Sequence, residues 1–241
     1  MNEQESGIGG WGTGKGKIMI KLSQIFTVLL IILMSISAIA QETDTEAKNK
    51  IGLDKVLSRL EKKMSGIKTL KTGFIQEKEL AVFNNKIVLK GTVYIEKPYR
   101  LAWLVDKPLK YSMVMSEDTI SQWDEDTNKV QKISLSKNPA FEAVIGQMRE
   151  WFSGTYTQLM KEYNVLLLSD KPVSLKFVPK PASFAANVIK SVTVDFRKDE
   201  QYINKIFIEE KSGDTTSLLF VDTHLNIPID PAVWRLAPIV R

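Results

Sequence analysis

The sequence predicts a mainly β member of the α+β class: a curved antiparallel sheet of about eleven strands with two or three helices laid against it. Two observations carry this. From Gly91 to Ile133, bursts of alternating apolar and polar residues are cut about every eight to twelve residues by Lys-Pro, Glu-Asp or Asp-Asn clusters, the spacing of consecutive strands joined by tight turns. Two segments outside that run switch to helical spacing, and helices set within a strand meander must cover a face or an end of the sheet to bury their stripes. Leu101, Trp103 and Val105 point one way along their strand, and Ala102 and Leu104 the other. A sheet with one solvated face alternates more cleanly, so both faces of this one are expected to meet apolar matter.

Taken in order, the chain begins with a targeting signal. Lys15, Lys17 and Lys21 precede the apolar run Ile25–Met34, and Ala38-Ile39-Ala40 stands before Gln41. A basic head, a short apolar body and small residues at the end describe a secretory signal peptide cleaved after Ala40. The run is short for a membrane span of ~20 residues. Residues 1–40 are therefore assigned to an N-terminal extension and signal peptide, and residues 41–241 to a single exported domain. No Pro-, Gly- or Ser-rich boundary divides the latter.

Gln41 to Lys50 is polar and expected to be a loose leader. Leu53, Val56, Leu57, Leu60, Met64 and Ile67 then recur at helical spacing, with Gly66 placed to end the helix. Strands are expected at 72–82 and 86–96, separated by the turn signal Asn84-Asn85; Phe74 and Gln76 share a face of the first, and Leu89, Gly91, Val93 and Ile95 a face of the second. Gly91 would permit a bend or a close approach in mid-strand. The meander continues through 100–105, 111–116, 119–124 and 129–134. Asn138-Pro139 then opens a second helix, with a cap residue and a proline at the first helical position. Its stripe is Phe141, Val144, Ile145, Met148, Trp151 and Phe152, and Gly154 breaks it. A further short helix is expected within 156–163. Strands resume at 165–168, 173–178, 189–197, 202–210 and 215–222, and Trp234 is placed to anchor the end of the chain.

Composition excludes several classes of function. The formal charge is +5 and the basic residues are interleaved with acids, so no basic stripe for nucleic acid is present. There is no Cys, which removes disulfides, thiol nucleophiles and thiolate metal sites. His224 is the one His, beside Asp222; alone in a loop, it is read as structural rather than as a catalytic base. No nucleophile elbow, phosphate loop or zinc-protease motif occurs. Asp124, Asp126 and Asn128 resemble the start of a calcium loop, but Lys129 stands where that loop needs Gly and Leu135 where it needs a bidentate Glu. A polar hairpin turn is expected there. No catalytic residue, cofactor or metal is assigned, and no enzymatic activity is expected.

One stretch carries a family resemblance. Tyr94-Ile95-Glu96-Lys97-Pro98-Tyr99-Arg100-Leu101-Ala102-Trp103 is followed by Lys107-Pro108, by Met113-Val114-Met115-Ser116-Glu117-Asp118 and by Ile120-Ser121-Gln122-Trp123-Asp124; upstream stands Phe74-Ile75-Gln76-Glu77. In order and spacing these resemble the LolA-like family of periplasmic lipoprotein carriers, and the chain looks like a divergent member of it. The resemblance implies an unclosed antiparallel β-barrel of about eleven strands, with helices forming a lid over an apolar cavity. It implies a monomer in the periplasm that receives an acylated lipoprotein or lipid cargo from an inner-membrane ABC exporter and passes it to an outer-membrane acceptor.

The cavity and lid candidates are Phe74, Val93, Ile95, Leu101, Trp103, Met113, Met115, Phe141, Val144, Ile145 and Met148. Met64 joins them, since flexible, polarizable Met suits such a lining. The family carries an Arg before the turn proline that hydrogen-bonds to the lid. Here that position is Lys97, which keeps the charge without the planar fork. It is the lid-latch candidate, and Arg100 would substitute only if its side chain pointed inward. A lipid-sensing or signalling module of the same fold is the alternative reading.

Overall fold

The computed structural model describes residues 44–82, 85–137 and 151–236. Eleven strands form one sheet: β1 Thr69–Leu80, β2 Asn85–Glu96, β3 Arg100–Lys107, β4 Tyr111–Met115, β5 Thr119–Asp124, β6 Val130–Ser134, β7 Tyr163–Asp170, β8 Val173–Pro179, β9 Ile189–Phe196, β10 Ile203–Glu210 and β11 Thr215–Leu225. Their order is β6-β5-β4-β3-β2-β1-β11-β10-β9-β8-β7. Two meanders, β1–β6 and β7–β11, are joined where β1 pairs antiparallel with β11, Phe74 opposite Phe220. Strands β6 and β7 are the two edges, so the barrel does not close. Residues 151–162, which lead into β7, carry a segment that covers the interior.

Period-2 burial explains which face is inside. Along β1, Leu70, Thr72, Phe74, Gln76 and Lys78 are buried, while the residues between them are partly or fully exposed. The same alternation marks Val173, Leu175 and Phe177 on β8 and Ile206, Ile208 and Glu210 on β10. Gly91 stands at a register irregularity between β2 and β3. A Cβ there would lie 1.9 Å from the Leu104 carbonyl oxygen and 2.9 Å from the Phe74 ring. The sheet bends sharply enough at this point that only glycine fits.

Helix α1, Asp44–Ser65, lies in the concavity. Leu53, Val56, Leu57, Leu60 and Met64 are buried in one core cluster with Phe74, Val93, Trp103 and Met113 of the sheet. The helix begins earlier than expected: the leader is helical from Asp44 onward. Ala, Glu and Lys in this stretch are good helix formers and an acidic residue suits a helix N-terminus, whereas the apolar stripe that signals the helix is needed only where it meets the core. Lys62 and Lys63 complement the dipole in the last turn.

The outer face of β3–β5 is also covered. The C-terminal chain crosses it after Asn226, which accepts from the Lys68 N–H through its side-chain oxygen and donates from its own N–H to the Thr69 carbonyl. A 3-10 turn, Pro231–Trp234, follows, capped by Asp230. Trp234 lies under the Arg100 guanidinium, 5.7 Å from ring centroid to carbon. Leu104, Ser112 and Trp123 of the sheet face Ala232, Val233 and Leu236 across a shallow cleft of about 280 Å³. Apolar residues on both faces of β3 thus have two partners: the interior and the C-terminal chain.

The signal peptide and its cleavage after Ala40 lie outside the described residues, as do Asn84 and residues 138–150 of the second expected helix; the end of that helix, Trp151 and Phe152, is helical as expected. Among the described residues no helix is long and apolar enough to cross a membrane.

Candidate functional site: an apolar interior under a hydrogen-bonded lid

The inner face of β1–β4 supplies one wall of the interior. Phe74, Val93, Ile95, Leu101, Trp103, Met113 and Met115 are all buried in a single cluster. Register brings them together: Val93 is opposite Trp103, Trp103 opposite Met113, and Leu101 opposite both Ile95 and Met115. The Trp103 ring rests on Phe74 with centroids 4.4 Å apart. Phe141, Val144, Ile145 and Met148 lie outside the described residues.

The second half of the sheet supplies an equal wall, and no candidate was drawn from it. Val192, Val194 and Phe196 of β9, Ile206 and Ile208 of β10, and Leu218 and Phe220 of β11 belong to the same cluster. Aromatic residues from the β6–β7 connection land on this half. Trp151 packs edge-on against Tyr163 and Phe177, and Tyr156 packs against Phe196. Alternation in these strands marks them as half-buried without marking them as an interior wall.

Residues 151–153 are helical and a short helix, Tyr156–Leu159, follows. Gly154 links them at φ +85°, and a Cβ on it would meet the Met64 Cβ at 2.5 Å. The segment therefore lies tightly on the end of α1. Glu61 of α1 accepts hydrogen bonds from both the backbone N–H and the hydroxyl of Thr157, which satisfies a free donor of the short helix.

Lys97 joins the two covering elements. Its Nζ donates to the Met64 carbonyl at 2.8 Å and to the Ser153 carbonyl at 2.8 Å. Both are at the carbonyl ends of helical segments, where the dipole favours a cation. Desolvation by burial holds the Lys97 pKa below its ordinary value, so the closed arrangement keeps this charge at a cost. Arg100 points the other way, toward Glu96 and Trp234. Beside Lys97, a pocket of about 30 Å³ is lined by Ile95, Leu101, Met115, Phe152 and Ser153. That is room for a water or two, far less than an acyl chain needs.

A second set of contacts fixes α1 to the other meander. Arg59 donates to Glu200 and Asp170, and Lys63 donates to Glu200. Burial would raise the Glu200 pKa, but the hydrogen bonds from Lys63 and Arg59 outweigh it and hold the carboxyl below its ordinary value. The Arg59 hydrogen bond does the same for Asp170.

The calcium-like loop and the one His are ordinary. Asp124 accepts from the Thr127 N–H and hydroxyl, and Trp123 Nε1 donates to Asn128, the hairpin turn expected from the sequence. His224 pairs with Asp222 at 3.0 Å on the exposed end of β11. Among the described residues, no group of three or more potential metal-ligating side chains comes together.

No curated protein sequence matches the chain significantly. Among solved structures, a LolA superfamily protein from Nitrosomonas europaea is 9% identical with a TM-score of 0.41, covering 76% of this chain and 97% of that one. The lipoprotein LppX from Mycobacterium tuberculosis is 11% identical with a TM-score of 0.44, covering 73% and 98%. The MucA/MucB complex from Pseudomonas aeruginosa contains a chain that is 13% identical with a TM-score of 0.47; the match covers 77% of this chain and 61% of that one. The family profile described as outer membrane lipoprotein carrier protein LolA matches residues 65–237. An unclosed eleven-stranded sheet around an apolar interior, together with this match over most of its length, places the chain in the LolA family of outer-membrane lipoprotein carrier proteins.

Proposed function

We propose that this protein is a periplasmic carrier that shields the acyl chains of lipoproteins, or of a related acylated cargo, during transfer from the inner to the outer membrane. An inner-membrane ABC exporter would load it and an outer-membrane acceptor would unload it. It would act as a monomer and perform no chemistry of its own. The observation that carries this reading is the way the interior is covered. Helix α1 and residues 151–159 fill the concavity with apolar side chains, and at the open end Lys97 ties them together through two backbone carbonyls.

The energetics suit reversible loading. Each acyl methylene withdrawn from water is worth ~0.8 kcal/mol, so a chain of roughly sixteen carbons gains on the order of 12 kcal/mol, less what α1 and the lid lose when displaced. Hydrogen bonds from one charged group are worth about 1.5–3 kcal/mol each when well buried, and less for a half-buried one. Cargo can therefore displace the cover, and the cover can refill the space when cargo leaves. Phe141, Val144, Ile145 and Met148 would complete the lid. Val144→Asp or Ile145→Asp should abolish cargo binding and leave the sheet folded by circular dichroism; unchanged binding would remove that helix from the lid.

Native mass spectrometry of protein recovered from the periplasm tests the reading. Bound acylated species are expected. An empty protein in a tight complex with another polypeptide would favour the lipid-sensing module, and turnover of an added acyl ester would overturn a carrier without chemistry.

A further inference from the structure

Among the described residues the inner face is mostly apolar; besides Thr72 and Gln76 of β1, it holds one ion pair in which both side chains are buried. Near the far end of β1, Lys78 is 6% exposed and its Nζ donates to Glu210 Oε1 of β10 at 2.9 Å; Glu210 is 7% exposed. Thr216 of β11 lies between the two strands, opposite Lys78 on one side and Ile208 on the other. It is 3% exposed, and its Oγ1 is fully buried with no hydrogen-bond partner. Next to them on the same face stand the buried Gln76, opposite Leu218, and Ile208, opposite Thr216. This end of the sheet is the one where the β1–β2 and β10–β11 turns meet, Ala81 N–H donating to Asp214. Lys97 is at the opposite end, beside Lys68 at the start of β1. At ~3.3 Å per residue the two lysines are separated by roughly 30 Å along the strand.

A buried ion pair serves structure well enough by itself. The unpaired hydroxyl does not: a buried donor without a partner is a cost that valine, of nearly the same shape, would not carry. Lys78 also keeps ammonium protons beyond the one given to Glu210. The two charges cancel, so an anion gains nothing net here, while a neutral acceptor finds donors on two adjacent strands. We propose that Lys78, Glu210 and Thr216 form a polar seat for the ester or amide carbonyl of an acylated cargo. The acyl chain would run from that seat along the inner face toward Trp103, Met113 and Met115. This rests on the carrier reading above and adds to it the part of the cargo that is recognised.

The test compares two probes of equal chain length, dipalmitoylglycerol and its dihexadecyl diether, which lacks the carbonyls. Affinity of each for the purified protein is measured by displacement of N-phenylnaphthylamine fluorescence. The wild type should bind the ester about tenfold more tightly. Thr216→Val and the double variant Lys78→Met/Glu210→Leu should bring the ratio to within about twofold while leaving ether affinity unchanged, which also shows that they fold. Equal binding of ester and ether by the wild type would overturn the polar seat and leave the carrier intact. A preference that survives both variants would overturn it as well, since the carbonyl would then be read elsewhere. Binding of neither probe would overturn the carrier reading and the seat with it.

Discussion

The Lys97 ammonium and the Ser153 carbonyl are 2.8 Å apart, although 56 residues separate them in sequence, and the same nitrogen holds the Met64 carbonyl. One side chain in a strand-to-strand turn therefore spans the ends of both elements that cover the interior. Its position before Pro98 fixes where it starts; the two helical ends fix where it points.

Replacing Lys97 with Met keeps much of the aliphatic stem and removes the donors. Because Lys97 is only half-buried, the loss in stability should be modest, about 1 kcal/mol. The lid should respond more than the fold does. Amide exchange at 153–156 should quicken and uptake of N-phenylnaphthylamine should rise, with far-ultraviolet circular dichroism unchanged. Lys97→Arg should restore slow exchange, because the guanidinium fork can reach two acceptors at once.

Burial lowers the Lys97 pKa in the closed state, so opening the lid raises it back and takes up protons. Between the lowered value and the ordinary 10.5, acidification should favour opening; below the lowered value the effect should level off. Dye uptake measured across the alkaline range should show this slope in the wild type. A flat profile in Lys97→Met assigns it to this group, and the same slope in both proteins would remove Lys97 as its source.

Arg59 should matter most above the acid range. Glu200 and Asp170 have lowered values in the fold, against ordinary values of 4.5 and 3.8. The stability they contribute is fully present above those ordinary values and is lost as pH falls through the lowered ones. Arg59→Met should cost about 1 kcal/mol at neutral pH, since the network is partly exposed. The gap between variant and wild type in urea unfolding should narrow as pH falls below about 4.

Gly154→Ala should destabilise by about 2 kcal/mol or more. A positive φ and the Met64 Cβ at 2.5 Å both oppose a side chain there. In the double variant with Met64→Ala the direct clash eases only in part, because Cβ remains and the backbone strain is untouched. Thermal unfolding of the two single variants and the double should show coupling between the positions; strict additivity would mean that the contact is not tight.

Strand positions were legible because alternation and turn chemistry are local. Thr119–Asp124 falls where the pattern places it, and Gly91 marks the close approach its lack of a side chain suggests. The first helix was legible only where it needs an apolar stripe, which is why its start at Asp44 was missed. The candidate cavity residues on the sheet come from the stretch that carries the family-like motifs, and Phe141, Val144, Ile145 and Met148 from the second expected helix. The β8–β11 wall has the same alternation, but alternation does not tell an interior wall from any other half-buried strand.

By itself the sequence determined the number of strands, the two-meander order along the chain, and the periodic residues that must be covered. It could not decide that β1 would meet β11, leaving β6 and β7 as edges. Nor could it decide that Lys97 would turn inward to two carbonyls while Arg100, three residues on, would turn outward to Trp234. Periodicity is set by neighbours a few residues apart. Partners brought together across the sheet depend on which face the closed packing buries, and that is decided by the whole fold at once.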